Sequence, residues 1–190
     1  MRRNTCTSLD AARQIIAQQG AGQLSMRAIA ERIDYSAAGL YEYFNGKEEI
    51  IQALATQGHR RLRDHLLQVA PDLAPADYLL ALGLAYIEFA RANPDYYLLM
   101  FTTPPSPITL KGMLSESSSY PVLLEAIRRG LEAGVFKPRP GYGQPEMAYS
   151  SWALVHGIAM LRIAYPVDLS VDLEVTDREA LRAFGRGLQS

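Results

Sequence analysis

In this 190-residue chain, chemistry could rest on three histidines, one cysteine, a hydroxyl and cationic set between Ser25 and Lys47, and an aromatic set from Tyr86 onward. His59 and His65 stand six apart, which puts them on different faces of a helix and makes no metal pair. His156 lies far from both, so the three form no triad that spacing reveals. The chain has no Gly-x-Ser-x-Gly, no His-Glu-x-x-His, no cysteine pair and no dinucleotide glycine fingerprint. Gly141-Tyr142-Gly143 is not a phosphate loop, because no strand precedes it and no basic residue follows. The reading is therefore not an enzyme, with no cofactor and no metal. Cys6 is the single cysteine, so no intrachain disulfide forms, which suits a reducing cytoplasm. It could sense redox state, but a lone cysteine near a terminus is more often incidental.

The set between Ser25 and Lys47 is better ordered. Ser25 is an N-cap, and Met26, Ile29, Ala30 and Ile33 then repeat at helical spacing. Asp34 can take the left-handed backbone that ends a helix. Ser36 caps again, and a second helix is expected over Ala37 to Phe44 with Leu40 and Phe44 inward. Two short helices with this turn make a helix-turn-helix. Left outward are Ser25, Arg27, Ser36, Tyr41, Tyr43 and Lys47, which supply cations, hydroxyls and phenols. Ala37, Ala38 and Gly39 let the start of the second helix approach another surface closely. In a DNA reader that first turn enters the major groove while flanking polar groups hold phosphates. A helix N-terminus adds its own attraction for phosphate. The plainer reading is a helical hairpin that merely packs.

From Leu9 to Leu54 the chain resembles a TetR-type transcriptional regulator. The residues that carry the resemblance are Ala11-Ala12 with Gly20, Leu24 to Ala30, Tyr35 to Phe44, and Lys47-Glu48-Glu49-Ile50. The most specific part is the Leu40-Tyr41-x-Tyr43-Phe44-x-x-Lys47 run. Three positions depart from the pattern: Asp34 stands for a glycine, Tyr35 for a small aliphatic residue, and Gly39 where threonine is frequent. Trp152-x-x-x-His156-Gly157 resembles a motif in the Trp-His-Gly subgroup of TetR C-terminal domains. The resemblance implies an all-α fold: an N-terminal three-helix helix-turn-helix domain over residues 1–47, and a C-terminal bundle for ligand binding and dimerisation over 48–190. It further implies a double-stranded DNA operator as partner, a homodimer paired through the last two helices, and release by a small-molecule effector.

Composition is consistent with this. An apolar content of 48% supports a substantial core and rules out disorder. The net charge of −1 is unevenly spread, with nine basic against six acidic residues in 1–63 and ten against fourteen in 64–190. The cations thus sit where phosphates would be met. No segment is apolar for long enough to span a bilayer and no signal-peptide core opens the chain, so no membrane partner and a cytoplasmic location are expected.

The elements that must position these residues follow from periodicity and punctuation. A first helix over Ser8 to Gln19 closes at Gly20, and Arg2 and Arg3 precede it as a tail or as phosphate contacts. Asn45 with Glu48 makes a capping box for a long helix to about Ala70. Helices then fit Ala76 to Ala92, Asp95 to Phe101, Pro121 to Ala133 and Gln144 to Tyr165. Asn93 and Pro94 mark one restart, and Thr176 with Glu179 caps the last helix. Thr102 to Pro107 cannot be regular helix, and Ser115 to Ser119 is a second weak point. The Gln144 to Tyr165 helix shows Trp152, Val155, His156, Ala159 and Ile163 on one side and Leu154, Ile158, Leu161 and Tyr165 on the other. One side should meet its own domain and the other a partner chain. Tyr86, Phe89, Tyr96, Tyr97, Met100, Phe101, Trp152, His156 and Met160 are candidates for a cavity holding an apolar or aromatic effector. The same residues equally suit a plain core. A helical protein-protein scaffold is the alternative function, but it leaves the polar set around Tyr41 and Lys47 without a role.

Overall fold

A computed structural model describes residues 2–102, 112, 114, 115, 117–165 and 170–190. The side chains of Arg2, Arg3 and Cys6, and the prolines of 103–107, lie outside what is described, as does the expected helix stop at Pro166. Nine α-helices are found among the described residues: α1 Arg2–Gln19, α2 Met26–Arg32, α3 Ala37–Leu40, α4 Lys47–Leu66, α5 Pro75–Ala92, α6 Pro94–Thr102, α7 Tyr120–Glu132, α8 Gln144–Ala164 and α9 Leu173–Gly187. The all-α expectation holds. The chain divides into two compact units, one of Met1–His59 with Pro94–Ile108, the other of Arg60–Asn93 with Thr109–Ser190. The expected cut at residue 47 falls at the first residue of α4, inside the first unit.

In the first unit, α1 packs on α2, α2 on α3, and α1 on α6. α1 starts earlier than expected and ends as expected at Gly20, whose positive φ of 84° lets its amide reach the Ile16 carbonyl at 2.8 Å. Ile29, Leu40, Ile50 and Leu54 are completely buried and hold the unit together, each worth roughly 1.5–3 kcal/mol. Packing is tight where α6 meets α4, because a Cβ on Gly58 would lie 2.6 Å from Met100 Sδ. The α4 start differs from expectation in one residue. Glu49, not Glu48, reaches back, accepting from the Asn45 amide at 2.7 Å and from its Nδ2 at 2.9 Å. Helix geometry explains this: α4 begins at Lys47, so Glu49 is the carboxylate one turn inside the end. α4 also stops at Leu66 rather than Ala70, where the amides of Gln68 and Val69 turn to tighter bonds with His65 and Leu66.

In the second unit, α5 is surrounded by α7, α8 and α9. Tyr78, Leu79, Leu82, Tyr86, Ile87, Phe89 and Ala90 are buried around most of its circumference, as its apolar sequence requires. The approach is close at Gly83, where a Cβ would meet Leu181 at 3.0 Å and Val155 at 3.3 Å. Arg129 of α7 lies over the Tyr78 ring at 4.6 Å and donates to the Pro71 carbonyl at 2.7 Å. Asn93 closes α5, its Nδ2 donating to the Phe89 carbonyl at 3.1 Å, and α6 opens at Pro94 directly after it, as the stop and restart predicts. The last helix begins before Thr176. Asp172 is its cap, accepting from the amides of Glu174 and Val175 at 2.9 and 3.1 Å, and Thr176 instead bonds back to the Asp172 carbonyl. A carboxylate able to take two orphan amides outcompetes a hydroxyl that takes one. Arg162 of α8 faces Asp177 of α9 at 3.3 Å in a largely buried pair. Burial raises the Asp177 carboxyl above its usual range, and Arg162 and Arg91 partly offset that rise.

Candidate nucleic-acid interface

α2 and α3 are positioned by two serine caps and one left-handed residue. Ser25, with extended backbone, accepts from the Ala28 amide at 3.1 Å. α2 ends as Asp34 turns to φ 52°, and the Tyr35 amide returns to the Ala30 carbonyl at 2.9 Å. That long-range bond belongs to a Schellman closure, with aspartate in the place glycine favours. Ser36 then accepts from the Gly39 amide at 2.9 Å and starts α3. α3 is shorter than expected. Past Leu40 the amides of Glu42 and Tyr43 turn to tighter bonds three residues back, with Gly39 at 3.3 Å and Leu40 at 3.0 Å, so regular α-helix gives way to a turn. Leu40 and Phe44 are nevertheless buried, as the pattern predicts.

The polar set lies outward. Ser25, Arg27, Ser36, Ala38 and Tyr41 are exposed, while Ala37, Gly39, Tyr43 and Lys47 are half-buried. Tyr41, at 57% exposed, is the most open aromatic side chain of this set. Arg27 is occupied at its own helix, its Nε donating to Glu31 at 2.8 Å, and that bond raises its pKa. Arg32 donates to Gln18 at 2.7 Å and so ties α2 to α1. The two caps use serine oxygens as acceptors, which leaves each hydroxyl proton to donate outward. The surface can therefore offer hydroxyl donors, a phenol and a cation around a helix start with almost no side-chain bulk. In the sequence Tyr35 stands out only as a departure from the family pattern, yet its ring lies directly against Gly39. No periodicity signal marks that contact.

The candidate effector residues fall into both units. In the second, Trp152 Nε1 donates to the Tyr86 hydroxyl at 3.4 Å, and that hydroxyl lies 3.3 Å from His156 Nδ1. Tyr120 and Tyr149 stand edge-on to Trp152, with ring centres 6.1 and 6.3 Å away. Burial lowers the His156 pKa below its ordinary value, which favours the neutral ring. Phe89 is buried against His65, and Met160 is half-buried. In the first unit, Tyr97 is fully buried and packs on Phe101, which also meets His59 edge-on. Met100 is buried there as well, against Gly58. Tyr96 is buried in the same unit and donates to Gln57 at 3.1 Å.

Residues 9–54 match the family described as bacterial regulatory proteins, tetR family. Residues 79–184, over half of the chain and including Trp152 to Gly157, match the tetracyclin repressor-like C-terminal domain. The chain belongs to the TetR family. An uncharacterized HTH-type transcriptional regulator of Bacillus subtilis, YobS, is 32% identical over 89 residues, 47% of either chain. The TetR-family chain spans about half the length of the curated relatives it matches. Among solved structures, a protein of unknown function from Rhodococcus sp. RHA1 superposes with a TM-score of 0.83 at 23% identity, covering 98% of this chain and 95% of the other. A tetR-family regulatory protein from the same source superposes with a TM-score of 0.74 at 20% identity, covering 97% and 96%. The second supports the TetR fold over nearly the whole length. No helix among the described residues is long and apolar enough to cross a membrane.

Proposed function

We propose that this TetR-family chain is a cytoplasmic DNA-binding transcriptional regulator, a homodimer that represses from a double-stranded operator and is released by a small apolar or aromatic effector. The observation that carries the reading is the outward side of α3. A capped helix start bearing only Ala37, Ala38 and Gly39, flanked by Ser36, Tyr41, Tyr43 and Lys47, suits close approach to a base-pair edge with phosphates on either side. Ser25 and Arg27 belong to the same surface. Exposed apolar residues on α8 and α9 support pairing with a second copy. The linked Tyr86, Trp152 and His156, with Phe89 and Met160 in the same unit, support an effector site of aromatic walls and few polar tips. Such an effector acts by binding more tightly to the form whose two α3 helices are misplaced, by an amount set by that difference.

Selection of duplexes from a random pool tests the reading directly, and failure to enrich any sequence at low salt would overturn it. With the enriched duplex in hand, Lys47→Ala should weaken binding broadly. The slope of log affinity against log salt should fall by about one, as expected for a lost phosphate contact.

A further inference from the structure

We propose that Tyr35, a turn residue, is a base-reading side chain of this helix-turn-helix, its ring occupying the place on α3 that a side chain at position 39 would fill. The inference rests on the DNA-binding reading and adds a specificity residue to it. A Cβ built on Gly39 would lie 2.5 Å from Tyr35 Cε1, 3.0 Å from Cζ and 3.0 Å from Ser36 Oγ. Carbon atoms in contact prefer about 3.5–4.0 Å, so the ring rests on bare helix backbone. Gly39 is helical and needs no unusual φ, so it is the ring that excludes a larger residue there. The ring is held from behind by the left-handed Asp34, at φ 52°, and by the Tyr35 amide bond to Ala30 at 2.9 Å. At 39% exposed, Tyr35 presents its remaining surface to solvent beside the exposed Ala38 and Ser36. The exposed edge of an aromatic ring can pack on a thymine methyl in the major groove. The unusual residues at 35 and 39 thus form one interlocked device, delivered to the second helix from the turn.

The test uses Tyr35→Ala, Gly39→Ala and the double variant in the full chain. In thermal unfolding, Gly39→Ala should lower Tm in the wild-type background. In the Tyr35→Ala background the same change should leave Tm unchanged or raise it, since alanine is the better helix former. An equal loss in both backgrounds overturns the interlock. On duplexes selected by the wild type, Tyr35→Ala should bind at least about tenfold more weakly, the scale of a lost base contact, and should no longer select the wild-type base at one position of each half-site. Affinity for random duplex at low salt should stay within about twofold, because phosphate contacts carry it. The double variant, with the gap refilled and stability regained, should still lack that base preference, which separates reading from folding. If Tyr35→Ala selects the wild-type sequence unchanged, this proposal falls and the DNA-binding reading stands. If the wild type selects nothing, both fall.

Discussion

At the scale of single residues, the polar groups that position α3 are few, so each counts. α3 has four residues, and the Ser36 hydroxyl satisfies its Gly39 amide at 2.9 Å. Ser36→Ala should therefore cost about 1 kcal/mol of unfolding free energy, read by urea titration, with Ser36→Gly costing only a few tenths. A histidine gives the second residue-scale outcome. Burial holds His156 below its ordinary pKa of 6.5, with no opposing carboxylate among the causes, and burial lowers His59 likewise. Between the folded and unfolded pKa values the unfolded chain binds more protons, so stability rises with pH there. The contribution is fully present above about 6.5 and is lost as pH falls through the lower, folded value. Denaturant titrations at pH 5 and pH 7.5 should show this loss. It should be smaller, though not absent, in His156→Gln, because His59 still titrates. An unchanged pH difference in that variant would place the titration elsewhere.

At the scale of elements, what could be read from the chain is what depends on neighbours in sequence. The Ser25 and Ser36 caps, the left-handed Asp34 and the helix stop at Gly20 are each fixed by a few adjacent residues, and each stands as the pattern predicts. So is the apolar surround of α5, because a helix with so few charges has nowhere exposed to go. Competition between two nearby groups was harder to read. Glu48 and Glu49 both follow Asn45, and only the true start of α4 decides which turns back. Asp172 and Thr176 compete for the start of α9, and spacing alone favoured the wrong one. Contacts distant in sequence left no trace in periodicity. Tyr86 meets Trp152 and His156 across 66 and 70 positions, so aromatic composition could nominate these residues without linking them. The Tyr35 ring on Gly39 is a shorter-range case of the same kind. Two odd residues four apart could be noticed, but their shared cause is steric and appears only in three dimensions.

At the scale of the whole molecule, the proposed function pairs two copies, because one α3 of four residues offers few contacts to a specific site. Two copies reading half-sites about 34–36 Å apart double the contacts and fix the spacing. The proposed pairing surface is the exposed apolar side of α8 and α9. Leu161 on α8 and Tyr165 just past its end, with Val175 on α9, are each more than half exposed, while Leu154 and Ile158 on the same side of α8 are half-buried. Isolated exposed apolar residues are ordinary, but several on adjoining helices imply a covering surface. Leu161→Glu should bury a charge in that surface and leave a folded monomer. Light scattering should then report half the mass, and Tm should lose its dependence on protein concentration. Affinity for a two-site duplex should drop to that for a single half-site, whereas half-site affinity should be unchanged, since α2 and α3 are untouched. A variant that stays dimeric would move the interface off this face. One that turns monomeric yet binds the two-site duplex at full strength would show that dimerisation does not set the spacing of the two readers.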